Sequence, residues 1–517
     1  MRIGQTGGYG AAFTFMQSLG LLPLMGVTHD VEKLRKVSGN GSSVLILGGG
    51  IAGLVSAYEL GKLGYRCTLL EARDRVGGRN WTVRGGSKVE FTDGFTQLCE
   101  FEEGNYQNFG PGRLPAIHTT MLGYCREFNV PLEVEINTTR GALLQADSLN
   151  GGQPVQQRQM TNDTRGHISE LLAKSINKGA LDQELTSGDK ERMLAFLHIY
   201  GDLNPDFIFK GTDRSGFKVP PGAEIQAPMA IDPLPMHELL VADLWQDLLS
   251  EDAIDWQATM FQPVGGMDRI PMALGQRLAD VIRYNADVRT IRQQRGGNKP
   301  GVTVDYLDRK TGKTETIEAD YCICAMPLVT LKTVDADFSP DVAKIIHDSQ
   351  YDAASKIAWE SRRFWEQDYD LYGGISYLRQ AVEIVWYPSA KLFSQTGIIV
   401  GGYSDNETGT PFGDLPTVQA KLDASRHAIE LLHPGCGKEL TKPVYVNWGK
   451  IPYNLGGWLS DYSGSSVYRL FEPDGRVYFA GDHTSHLSGW QEGAALSAYR
   501  SINQIGVEVE KKGPHAA

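Results

Sequence analysis

Val44-Leu45-Ile46-Leu47-Gly48-Gly49-Gly50-Ile51-Ala52-Gly53 decides how this chain is read. Four consecutive apolar residues suit a parallel strand buried on both faces. The glycines that follow fit G-x-G-x-x-G. Gly48 permits the tight turn out of the strand, Gly50 lets backbone approach a pyrophosphate, and Gly53 lets the next helix pack close. Leu54, Ala57, Tyr58, Leu60 and Leu63 then recur at helical spacing, Gly64 ends the helix, and residues 67–70 form a second strand. The helix N-terminus, with Ile51 and Ala52 in its first turn, offers free N–H groups and partial positive charge to phosphate. Glu71 ends the second strand, where a carboxylate can accept both ribose hydroxyls of a dinucleotide. A glycine-rich turn alone is a weak signal. Strand, turn, helix, strand and acid in this order make a specific one.

The rest of the chain is compatible with a large enzyme. It has 517 residues, 41% of them hydrophobic, enough for one large core or two to three lobes. A formal net charge of -12, with no run of five basic residues, argues against nucleic acid as a partner. The six cysteines include no C-x-x-C pair and are too few for a disulfide scaffold. Cys322 and Cys324 fall in 320–325, which reads as a buried strand. Residues 11–27 are uncharged and largely apolar. They are shorter than the ~20 residues a membrane span needs. With only Arg2 ahead and no A-x-A site they make a poor signal peptide, so a docked N-terminal helix is expected. No membrane partner is expected, and localisation stays open between cytoplasmic and exported.

Periodicity points to a mixed α/β fold with a discontinuous Rossmann-like domain. Helical patterns fall at 116–128, 166–178, 189–198 and 236–250, strands at 302–307, 316–325 and 477–480, and a last helix at 491–505. The dinucleotide-binding domain is assigned to 40–115, 266–335 and 445–510. A mixed-sheet substrate domain takes 1–39, 230–265 and 336–444, and a helical domain takes 116–229. His483 and His486 lack a third ligand nearby, so no metal site is expected.

Glu71 is followed by Ala72-Arg73-Asp74-Arg75-Val76-Gly77-Gly78-Arg79. An acid followed by x5-G-G-R resembles the signature of flavin-containing amine oxidases. The resemblance implies FAD, with Ala72, Arg73 and Gly78 facing the cofactor and Arg79 at the pyrophosphate. Phe479-Ala480-Gly481-Asp482 resembles the family segment whose acid binds a ribitol hydroxyl. Gly489-Trp490-Gln491-Glu492-Gly493-Ala494 opens the last helix, aimed at the flavin N1/O2 edge. Gly489, Gln491 and Ala494 are thereby implied at the cofactor. Trp490 is implied as the aromatic residue that flanks the substrate, with Gly489 beside it. Val288 matches a strand position whose backbone meets the adenine side.

Three further segments resemble L-amino-acid oxidases. In Asn108-Phe109-Gly110-Pro111-Gly112-Arg113-Leu114-Pro115, Arg113 is implied to grip the substrate carboxylate, while Gly110, Pro111, Gly112 and Arg113 border FAD. The planar guanidinium fork suits a carboxylate. In Trp386-Tyr387-Pro388, the hydroxyl of Tyr387 is implied as a second carboxylate contact. Lys356, in Ala354-Ser355-Lys356-Ile357-Ala358-Trp359, is implied to hold a water against flavin N5. Two departures matter. Residues 453–459 carry no cysteine where monoamine oxidases attach FAD covalently, so FAD is expected to be non-covalent. Gly112 stands where many relatives carry a larger residue, which is expected to widen the pocket. The implied reaction is oxidative deamination of L-amino acids by FAD and oxygen, giving 2-oxo acid, ammonia and hydrogen peroxide. The alternatives are a monoamine or polyamine oxidase and an amino-acid 2-monooxygenase. A homodimer is the expected assembly.

Overall fold

The computed structural model describes residues 34–223, 225–294, 301–460 and 467–512. The expected N-terminal helix at 11–27 lies outside them. No described helix is long and apolar enough to cross a membrane.

The apolar run is the centre of a five-stranded parallel sheet. Its order is Ile282–Tyr284, Arg66–Glu71, Ser43–Leu47, Tyr321–Cys324, Val477–Phe479. This reversal of strand order at the first strand is the doubly wound pattern, which leaves a crevice at the carboxyl ends of the strands. Side chains alternate between two cores. Val44 and Ile46 pack under helices Ile51–Lys62, Arg269–Arg277 and Gln491–Lys512. Leu45 and Leu47 pack against a four-stranded sheet that includes Ala286–Gln293, Val302–Asp308 and Lys313–Ala319. Covering both faces is what a continuous apolar strand requires.

The expected strand at 316–325 divides at Asp320. Lys313–Ala319 joins the antiparallel sheet and Tyr321–Cys324 the parallel one. The Asp320 carboxylate explains the break, accepting hydrogen bonds from the backbone N–H and hydroxyl of Ser43, both at 2.8 Å. Cys322 and Cys324 are fully buried there, and all six cysteines are free.

A seven-stranded mixed sheet forms the second layer. Its order is Val155–Gln156, Leu143–Gln145, Gly374–Leu378, Ile384–Tyr387, Thr396–Ser404, Ser355–Arg362, Thr441–Asn447. Its back packs against helix Val418–Leu432 and its front looks into the interior. Residues 132–156, expected within a helical domain, supply Leu132–Glu135 to a three-stranded sheet and two strands to this one. Strands this short carry too few alternations to announce themselves. The helical lobe is chiefly Gln157–Asn177 and Ser187–Tyr200. The helix expected over 236–250 is broken into Met236–Ala242 and Trp245–Leu248, with Asp243 left-handed at φ 51° between them.

Candidate active site

One cavity of about 1140 Å³ runs from the glycine loop to the front of the seven-stranded sheet. Its cofactor half is built from distant segments. Gly48 turns at φ +102°, a conformation that favours glycine. A Cβ on Gly53 would stand 1.9 Å from the Gly48 carbonyl oxygen, so only glycine lets the helix start this close. At Gly50 a Cβ would meet no atom within 4 Å, because that side opens to the cavity. No side chain caps the helix Ile51–Lys62 and its first turn has no acid. An anion is therefore the suitable partner for its N-terminus. Glu71 is buried and accepts from the N–H groups of Gly49 at 2.7 Å and Arg73 at 2.9 Å.

The other expected cofactor residues also line this cavity: Ile51, Ala52, Ala72, Arg73, Gly78, Arg79, Gly110, Pro111, Gly112, Val288, Gly481, Asp482, Gly489, Trp490, Gln491 and Ala494. Gly110 lies where a Cβ would strike the Arg79 carbonyl oxygen at 1.8 Å. Arg79 and Asp482, expected at pyrophosphate and ribitol respectively, are paired with each other through two hydrogen bonds. Burial raises the Asp482 carboxyl, but Arg79 outweighs this and holds it below its ordinary range. The Gly489 N–H donates to the same carboxylate at 3.0 Å. His483 and His486 line the cavity as well, and no metal-binding cluster occurs among the described residues. None of the lining residues is a cysteine. A shaped dinucleotide cradle, an uncapped helix N-terminus and a large adjoining chamber fit FAD.

The other half presents a cation between aromatic planes. Arg113 is 7% exposed, and its guanidinium carbon lies 4.0 Å from the Trp256 ring centroid and 4.5 Å from that of Trp386. It also donates to the Asn137 side-chain carbonyl. Trp490 stands edge-on to Trp256 at 5.8 Å. Lys356 donates to the carbonyls of Asn108 at 3.0 Å and Gly110 at 2.6 Å. Burial, then the nearby charge of Arg113, brings the Lys356 amine down to about 7. Glu135 lies behind this wall, accepting from the Trp386 indole at 3.1 Å, and burial pushes it up to about 7.

Two expectations are corrected. Tyr387 does not face the cavity. Adjacent strand residues point to opposite faces, so Trp386 faces forward and Tyr387 backward. The Tyr387 hydroxyl is buried with Ser376 Oγ at 2.9 Å and His433 Nε2 at 2.7 Å. Tyr387→Phe should therefore lower stability by about 1–3 kcal/mol, leaving buried groups unpaired, and change kcat/KM by less than about threefold. Thermal melts and steady-state kinetics check this; a hundredfold loss of kcat/KM would put the hydroxyl at the substrate. Gly112 does not widen the pocket either. A Cβ there would lie 2.5 Å from Trp386 Cη2, so the indole already fills the space. Gly112→Ala should displace the ring that covers Arg113, costing about 1–3 kcal/mol in stability and roughly tenfold in kcat/KM. Unchanged melting and kinetics would contradict that packing.

Residues that the sequence reading passed over complete the chamber. Trp256 comes from a three-residue 3-10 turn, Ile254–Trp256. Tyr377, Tyr403 and Asp405 come from strands of the front face or their ends. Lys356 pairs with Tyr403, and Ile375 with Trp386, across the sheet. Once Lys356 is assigned to the cavity, strand alternation identifies Tyr403 and Trp386. Nothing local announces Trp256.

The chain belongs to the family of flavin-containing amine oxidoreductases, whose sequence model matches residues 51–505. It is thus a flavin-dependent oxidoreductase. Within that family it is 26% identical over 475 residues to a putative L-amino-acid oxidase, YobN, of Bacillus subtilis (strain 168), covering 89% of this chain and 94% of the relative. It is 25% identical over 504 residues to an L-amino-acid oxidase of Pseudechis australis, covering 92% and 90%. Among solved structures, a wild-type putrescine oxidase bound to putrescine shares the fold at a TM-score of 0.57 and 17% identity, covering 91% of this chain and 99% of that one.

Proposed function

We propose that the protein is an FAD-dependent L-amino-acid oxidase. The observation that carries this reading is Arg113, a buried guanidinium held between Trp256 and Trp386 inside the cavity. An amine needs no such group; an amino acid has a carboxylate for it. The two indoles keep water from the faces of the guanidinium and leave its edge for paired, charge-assisted bonds. The relatives named L-amino-acid oxidases, matched over about nine-tenths of the chain, support the same reading.

With its carboxylate on Arg113, the substrate is oriented by the Trp256 and Trp490 walls. Orientation of this kind contributes several kcal/mol to the barrier. Lys356 spends two donors on the Asn108 and Gly110 carbonyls. One position remains to hold a water. Its lowered affinity for protons lets it exist partly as a neutral amine near pH 7. FAD held by the Gly48–Gly53 turn, Glu71, Arg79 and Asp482 would supply the hydride acceptor, with oxygen as the final oxidant giving hydrogen peroxide. The imino acid then hydrolyses to 2-oxo acid and ammonia.

Purified protein given a panel of L-amino acids should form peroxide, ammonia and 2-oxo acid together. Amide with CO2 would instead assign an amino-acid monooxygenase. Turnover of primary amines alone would assign an amine oxidase. The FAD is proposed to be non-covalent, since none of the described residues that line the cavity is a cysteine. Acid precipitation should leave a colourless pellet and a yellow supernatant; a yellow pellet would overturn this. A homodimer, the commonest symmetric assembly, is part of the same proposal.

A further inference from the structure

The chamber beyond Arg113 is more acidic than an apolar side chain would want. Asp243, Asp247, Asp352, Glu383 and Asp405 line it, against Arg113, Lys356 and Arg379. Arg379 is already committed. Its Nη2 lies 2.7 Å from Asp247 Oδ2 and also donates to the Asp243 carbonyl. Arg113 is taken by the substrate carboxylate in the reading above. Of the remaining acids, Asp405 and Glu383 face the cavity with no ion pair within 4.0 Å among the described residues. Asp405 follows the strand Thr396–Ser404 and accepts from the Tyr403 hydroxyl. Glu383 sits at the turn between Gly374–Leu378 and Ile384–Tyr387, at the mouth of the cavity. The two are close enough to feel each other's charge. Burial raises the Asp405 carboxyl more than the nearby charges of Arg113 and Lys356 lower it. Glu383 is exposed on its outer side, yet burial on the cavity side raises its carboxyl despite the charge of Arg379.

We propose that Asp405 and Glu383 form the side-chain subsite of this cavity and select L-amino acids whose side chain ends in an amine or a guanidinium. The proposal rests on the oxidase reading and names its substrate class. A cationic terminus would give these two acids the direct ion pair that Arg113, Lys356 and Arg379 do not make with them. An apolar side chain of equal length would strip water from them and return nothing. The wall of Tyr377, Ile375 and Val382 can cover the methylene stem of a long cationic side chain.

The test compares kcat/KM of the FAD-loaded enzyme for L-lysine and L-arginine with that for L-norleucine, a neutral side chain of similar length. The cationic substrates should be preferred by roughly tenfold or more, the worth of one charged hydrogen bond. Asp405→Asn and Glu383→Gln should each lower that ratio, with the flavin absorption spectrum confirming a folded, loaded protein. Glu383 is exposed at the mouth, so its variant remains informative if Asp405→Asn fails to fold. Equal or better use of L-norleucine by the wild type would overturn the subsite while leaving the oxidase reading intact. An Asp405→Asn variant that loses both classes equally would place that acid at the shared α-amine and also overturn it. No reaction with any L-amino acid would instead sink the oxidase reading.

Discussion

Arg113→Ala should lower kcat/KM for L-amino acids by roughly 10²–10³-fold. The lost fork donates two charge-assisted hydrogen bonds in a dry site, together about 3–4 kcal/mol. Arg113→Lys should recover little of this, because a point charge cannot make two parallel bonds and stacks poorly between Trp256 and Trp386. The loss should also depend on the substrate. An amino-acid amide, or an amine lacking the carboxylate, has nothing to offer the fork and should be far less sensitive. Stopped-flow reduction of the flavin with matched acid and amide substrates measures the difference. An equal loss for both would mean that Arg113 supports the cavity rather than the substrate.

Gly53→Ala should be a highly damaging conservative change in the cofactor half. The added methyl would stand 1.9 Å from the Gly48 carbonyl and 3.3 Å from Ile46 Cγ2, on the two segments least able to retreat. Overpacking of this kind costs typically about 1–3 kcal/mol and occasionally more. Here the strain also moves the helix start away from the phosphate, so flavin content should fall with stability. Gly50→Ala is the informative partner. Its methyl meets no protein atom within 4 Å and points into the cavity. It should leave the melting temperature of the FAD-free protein unchanged and weaken FAD binding alone. A Gly53→Ala protein that melts normally and keeps its flavin would contradict the packing described at this turn.

The dinucleotide turn was legible because every part of it is local. Gly48, Gly50, Gly53 and Glu71 lie within one strand-helix-strand unit, and each is dictated by backbone geometry or by reach. The place of Arg113 on the cavity wall was legible for a different reason, a glycine-proline loop that resembles relatives. Tyr387 shows the limit of such resemblance. On a strand a shift of one residue reverses the face, so a match that locates the segment can still choose the wrong side chain. Gly112 failed similarly. A missing side chain was expected to be space, but Trp386, far along the chain, occupies it. Trp256 could not be read at all, since its 3-10 turn has no periodicity and its partner Arg113 is remote in sequence. The break of 316–325 at Asp320 was hidden by apolar and β-branched residues on both sides, which suit either sheet.

Anaerobic mixing of the FAD-loaded protein with single substrates tests the central claim most directly. L-amino acids should bleach the visible flavin band, and D-amino acids and simple amines should leave it. Bleaching by amines that lack a carboxylate, or by no amino acid at all, would contradict an L-amino-acid oxidase built around Arg113.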